Sequence, residues 1–227
     1  MMDTEVVTMA YPPAALPAVL PGEDRSYGAG LFVDLIPRTS WFRNVRAAVD
    51  PADWDRLRRM VYRRAGRRCE ACGARRVQLE AHERFIYDTR AGIQRLVRLI
   101  CLCTACHQVT HFGHTRLLGD AAAQAAINHL QTVTGMTAGE TERHIRDAFA
   151  LWERRSRTPW RVDLSMISGA GIRLRTAPGQ HGGRADARIR PEPGTAPPPR
   201  RPVQLSARPK PAGLGSRWER WLTNGER

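Results

Sequence analysis

Two cysteine pairs dominate the chemistry this sequence can do. Cys69-x2-Cys72 is followed, some thirty residues on, by Cys103-x2-Cys106, with His107 directly behind and His111 and His114 further along. A two-residue gap lets a tight backbone knuckle aim both thiolates of a pair at one ion, and zinc takes four such ligands at tetrahedral angles. The rival reading, two disulfides, needs an oxidising compartment, and no basic-then-apolar secretory pattern opens the sequence. A structural Zn2+ on Cys69, Cys72, Cys103 and Cys106 is therefore expected, in a reducing, cytoplasmic setting. Cys101 sits in an apolar run and reads as a buried core thiol.

The elements around the pairs follow from periodicity. Val77 to His82 alternates as a strand, with Gln78, Glu80 and His82 on one face and Val77, Leu79 and Ala81 on the other. Phe85-Ile86-Tyr87 continues it, Asp88-Thr89-Arg90-Ala91-Gly92 supplies a turn, and residues 93–100 form a second, apolar-rich strand. The second cysteine pair then opens a helix on which His107 and His111, four apart, share a face. The order over residues 67–114 is knuckle, hairpin, knuckle, helix.

Upstream, residues 1–24 hold four acidic residues, four prolines and no basic ones, and read as a disordered leader. Within 25–66, Leu31 to Ile36 is long enough for one strand, and residues 41–49 for a helical turn or two. Asp50-Pro51 opens a helix whose apolar face is Trp54, Leu57, Met60 and Val61, and whose remainder is filled by Arg56, Arg58, Arg59, Arg63 and Arg64. Those arginines either line a phosphate backbone or form a solvated face.

Downstream, residues 115–175 read as a helical extension. Asp120 caps a helix with Ala122, Ala126, Ile127 and Leu130 on its apolar face. Thr137-x-x-Glu140 has capping-box spacing ahead of a helix carrying Ile145, Ala148, Phe149 and Trp152. Trp160 to Leu164 alternates as a final strand, and its Val-Asp-Leu repeats Val33-Asp34-Leu35, which suggests that the two pair. Residues 176–215 are a Pro/Gly/Arg-rich linker, too poor in apolar groups to offset the entropy of ordering. In residues 216–227, Trp218, Trp221 and Leu222 share a helical face, suited either to docking a protein partner or to folding back on the domain.

The chain is basic, with 36 Lys and Arg against 22 Asp and Glu and a net charge of +14, and all but one of the basic residues are arginine. Such a surface attracts polyanions, and arginine suits bidentate phosphate contact. No apolar run approaches the length of a membrane span, so no membrane partner is expected.

The knuckle-hairpin-knuckle-helix order, with His82 ending the first strand and His107 opening the helix, resembles the HNH, or His-Me finger, nuclease family over residues 67–114, roughly a fifth of the chain. The resemblance implies an α+β fold around a small ββα-metal core, with flanking helices. It also implies a four-cysteine zinc and, at the hydrolytic site, one separate divalent cation such as Mg2+. Carried over residue by residue, Leu79-Glu80-Ala81-His82-Glu83 is similar to the family's first motif. His82 then falls on the metal-ligand position and Glu83 where the general-base histidine stands. Sliding the match by one makes His82 the base and leaves Ala81 as ligand, which a methyl group cannot be. Arg98 falls where the family carries an asparagine, while His107 after Cys106 matches the family's Cys-His pair, with His111 one turn on.

The resulting expectation is an HNH-type, metal-dependent endonuclease acting on DNA. Its catalytic residues would be Glu83 and His82, its second ion would be held by His82, His107 and His111 with Glu80 in support, and Arg63, Arg64, Arg67, Arg68 and Arg98 would contact nucleic acid. Two rivals belong to other classes: a non-catalytic nucleic-acid-binding zinc module on the same fold, and an adaptor working through Trp218 and Trp221. His129, His144 and His181 have no partner at useful spacing, and His111 and His114 have a second reading as a polar helix face.

Overall fold

A computed structural model of the chain describes residues 15–40 and 44–175. Residues 1–14, 41–43 and 176–227, which include the expected linker and the Trp218 and Trp221 segment, lie outside the described residues. The elements in chain order are α1 (Val45–Ala48), α2 (Pro51–Arg64), β1 (Leu79–Asp88), β2 (Ile93–Cys103), α3 (Thr104–Thr110) and α4 (Phe112–Arg116). They continue with α5 (Asp120–Thr134), α6 (Ala138–Arg155), β3 (Arg161–Asp163) and α7 (Ser165–Ser168). The fold is α+β with one small sheet, in the order β1-β2-β3.

The antiparallel β1/β2 hairpin is the frame of the molecule, as the alternation predicts. Its turn closes where the Asp88 carboxylate accepts from the Ala91 amide at 2.9 Å and Gly92 takes φ 63°, a left-handed conformation that suits glycine. Its register pairs His82 with Ile100 and Leu79 with Cys103. The pairing shifts between Arg84 and Phe85, and Val97, left out of it, gives its carbonyl to the Asp24 amide.

Two cores lie on opposite sides of the hairpin because adjacent strand residues point to opposite faces. On one side Leu57, Met60 and Val61 of α2 pack with Ala81, Leu99 and Cys101; on the other Ile100 and Leu102 pack with Cys106 and Val109 of α3, Ile127 and Leu130 of α5 and Ile145 of α6. Cys101 is fully buried, as its apolar setting indicates. The capping box at the start of α6 is formed in both directions by Thr137 and Glu140. No helix among the described residues is long and apolar enough to cross a membrane.

Five expectations need correction. Residues 31–36 form no strand: the Val33 amide donates to His144 Nε2 and the Asp34 amide to the Thr110 carbonyl, so helices rather than strands satisfy this backbone. The final strand accordingly pairs elsewhere, with β3 parallel to residues 93–95 of β2 and Arg95 bound to Asp163 at 2.8 Å. Within the supposed leader, residues 15–24 are tied down at two points: Leu20 is buried, and Glu23 is paired with Arg64 at 2.6 Å. Their proline content conceals two anchors, an apolar plug and a buried carboxylate. Finally, Gly119 rather than Asp120 is the N-cap of α5, and the first strand begins at Leu79, leaving Val77 exposed.

Candidate metal centres

The first centre is the cysteine cluster. The Sγ atoms of Cys69, Cys72, Cys103 and Cys106 lie within 4.8 Å of one another, and all but Cys72 are buried. Cys72 and Cys103 are 3.7 Å apart, close to the ~3.8 Å edge that a tetrahedron with metal–sulfur bonds of about 2.3 Å requires. The first knuckle is held by its own backbone, with Cys69 N–H donating to the Ala74 carbonyl and Gly73 N–H to that of Cys69. The second is placed by the end of β2 and the start of α3.

The protonation balance shows why such a cluster suits a dication. The Cys106 thiol draws Cys69 down to about 4, burial raises Cys72 to about 11, and the Cys69 thiolate pushes Cys106 far up. Four thiolates this close repel each other, and a bound dication removes that repulsion. The Cys101 thiol, raised to about 12 by burial, takes no part.

His129 completes the surroundings, with Nε2 3.1 Å from the Cys106 sulfur. Sequence reasoning assigned it nothing. The signal available is its place three residues after Ala126 and four before Val133, on the side of α5 that turns to the core.

The second centre joins strand and helix. His82 of β1, His107 of α3 and His111, the residue between α3 and α4, bring ring nitrogens within 4.8 Å of one another. Their ring centroids are 4.6 to 5.3 Å apart, and each pair of planes lies nearly perpendicular, at 75° to 82°. His82 is 1 % exposed, and neither of its ring nitrogens has a hydrogen-bond partner among the described residues. A buried imidazole without a partner is costly, and a cation shared with His107 and His111 would satisfy one of its two nitrogens.

Burial, with the neighbouring Arg84 guanidinium, holds His82 far below the ordinary histidine range; burial and His107 take His111 down to about 3. Both rings are thus neutral, the form in which a histidine ligates. Glu80, two residues before His82 on the same strand face, accepts from His107 Nδ1 at 3.0 Å, which leaves Nε2 for a ligand. That contact is also the main reason the Glu80 carboxyl is lowered.

Comparison of the chain with protein-family models, curated proteins and solved structures finds no match. Function must therefore be read from the residues themselves.

The structure separates several residues that the resemblance groups together. Glu83 points away from the histidines, as the neighbour of His82 on an extended strand must, and its carboxylate accepts from the Val45 amide at 3.1 Å. Burial raises its pKa, yet on the far side of the strand it cannot take a proton at the His82 face, and the base role is corrected. Arg98 is buried, donating to the Tyr27 carbonyl at 2.8 Å and pairing with Glu70 at 3.1 Å. Arg64 is buried against Glu23 and donates to the carbonyls of Ala18 and Leu99. Both are internal ties rather than surface phosphate contacts, whereas Arg63, Arg67 and Arg68 are exposed. His114 is exposed beside His111, and His144 is spent on Val33; His181 lies outside the described residues.

Proposed function

We propose that the chain is a metal-dependent phosphodiesterase of HNH type acting on DNA, with zinc in the cysteine cluster as a structural brace. The observation that carries this reading is buried His82, both ring nitrogens without a partner, facing His107 and His111 across the strand-helix junction. The four-cysteine cluster beside it fixes that junction, because Cys106 and His107 are consecutive on α3.

His82, His107 and His111 would hold a divalent cation, which supplies Lewis-acid polarisation of a phosphate and stabilisation of the leaving oxygen. Glu80 fixes the tautomer and orientation of His107. His82, closed off from solvent, anchors the inner side of the site, and the partly exposed side chain of His107 leaves the outer side open to substrate. With Glu83 turned away, the base of this reading is His114, exposed and three residues past His111.

The orientation of Glu83 also favours a second reading, a non-catalytic nucleic-acid-binding zinc module that keeps the fold and lacks a base. Plasmid cleavage by the full chain with Mg2+, Mn2+ or Ni2+, beside His82→Ala and His114→Ala, separates the two. The nuclease reading expects metal-dependent cleavage, abolished in His82→Ala and slowed roughly 100-fold or more in His114→Ala. Absence of cleavage with every metal, alongside salt-sensitive DNA retention and one zinc per chain, would leave the binding module.

A further inference from the structure

A concavity of about 820 Å³ lies against the first cysteine knuckle, lined by five arginines, Arg25, Arg64, Arg68, Arg75 and Arg98, and by one carboxylate, Glu70. The charges in its floor are spoken for. Glu70 Oε1 receives Arg25 at 2.8 Å and Arg98 at 3.1 Å, its Oε2 receives the Cys101 amide, and Arg64 is paired with Glu23. Its rim is not: among the described residues, no carboxylate lies within ion-pair distance of Arg68 or Arg75, both exposed. Even with the excess negative charge of a metal tetrathiolate behind one wall, the arginines outnumber the negative groups.

The backbone adds a separate observation. Arg68 and Arg75 face each other across an antiparallel bridge at the base of the knuckle. Their outer neighbours, Arg67 and Arg76, take φ 50° and 56°, the two non-glycine residues with positive φ among the described residues. Glycine occupies that conformation without steric cost, and arginine does not. Four arginines thus surround the base of one small loop, two of them where the backbone would prefer another residue. Strain of this kind points to a use for the side chain.

We propose that this concavity is a cradle for the sugar-phosphate backbone of DNA, with Arg68 and Arg75 contacting successive phosphates and Arg67 and Arg76 flanking them. Guanidinium groups free of carboxylates offer paired donors that match phosphate oxygens, and the paired arginines beneath hold the wall in place. The knuckle that forms this wall shares its cluster with Cys106, one residue before His107. The cradle rests on the nucleic-acid part of the reading above and not on cleavage.

The test measures affinity of the full zinc-bound chain for a 20-base-pair duplex by fluorescence anisotropy over a range of KCl. Arg68→Ala with Arg75→Ala should weaken binding at low salt about 10-fold or more and flatten the slope of log K against log[salt] by roughly 2, near 0.9 for each phosphate that is no longer neutralised. The control pair, Arg143→Ala with Arg146→Ala on exposed positions of α6, removes equal charge elsewhere and should change the slope far less. Equal changes in both pairs, or no DNA binding by the parent chain, would overturn the cradle. If the knuckle pair fails to retain zinc, Arg67→Gly with Arg76→Gly decides by the same slope, since it relieves the backbone while removing the charge. Loss of slope in a protein that never cleaves DNA keeps the cradle and removes the nuclease reading; cleavage with an unchanged slope does the reverse.

Discussion

The cysteine and histidine clusters sit on the same side of one hairpin and share α3, yet they are built on different principles. Each cysteine pair is a local device, two thiols on one knuckle, and the hairpin only has to bring two finished halves together. The histidine cluster has no local half on its strand side. His82 reaches His107 and His111 only because β1 and β2 pair in a register that sets His82 opposite Ile100, three residues before Cys103. A slip of one residue would turn His82 to the α2 face. The cysteines therefore specify structure, and the histidines depend on it.

Breaking the first cluster should have the largest effect. Cys103→Ser is expected to abolish stoichiometric zinc binding and cooperative unfolding, a loss of at least about 5 kcal/mol given the ~10–16 kcal/mol typical of structural zinc, read by metal analysis and thermal denaturation. His82→Ala should instead leave zinc content and cooperativity intact while weakening Mn2+ or Ni2+ binding by roughly 100-fold in calorimetric titration. Loss of both metals in both variants would erase the distinction between brace and site.

The histidine cluster should also show itself through pH. Because the folded pKa of His111 is depressed to about 3 from the ordinary 6.5, the stability tied to its neutral form is complete above about 6.5 and is lost as pH falls toward about 3. The stability gap between the parent chain and His111→Gln should shrink by about 1.4 kcal/mol for each pH unit below 6, measured by urea denaturation. A gap that ignores pH would mean the imidazole is not held neutral by its surroundings.

Two carboxylates sharpen the comparison at the smaller end. Glu80→Gln should lower second-metal affinity about 10-fold without affecting zinc, since it weakens only the contact that orients His107. Glu83→Gln keeps an acceptor for the Val45 amide and should change stability by no more than about 1 kcal/mol, with second-metal affinity unchanged. A fall in that affinity would return Glu83 to the site.

The sequence alone determined the cysteine cluster, the hairpin, the helix that follows it and the capping box of α6, because each is encoded by residues close in the chain: paired thiols, period-two alternation, Asp88 and Gly92 at the turn, Thr137 and Glu140. It also brought His82, His107 and His111 into one reading through the face of a strand and the face of a helix. Tertiary structure alone decided what depends on partners distant in sequence. Residues 31–36 have the composition of a strand, but their amides found His144 and Thr110. Arg64 and Arg98 have the composition of a phosphate-binding surface, but Glu23 and Glu70 drew them inside. Glu83 took the catalytic position in a motif and the opposite face in space, because successive side chains on a strand diverge. Local geometry is written in spacing, whereas the pairing of a buried charge or a free amide is settled only when the chain closes on itself.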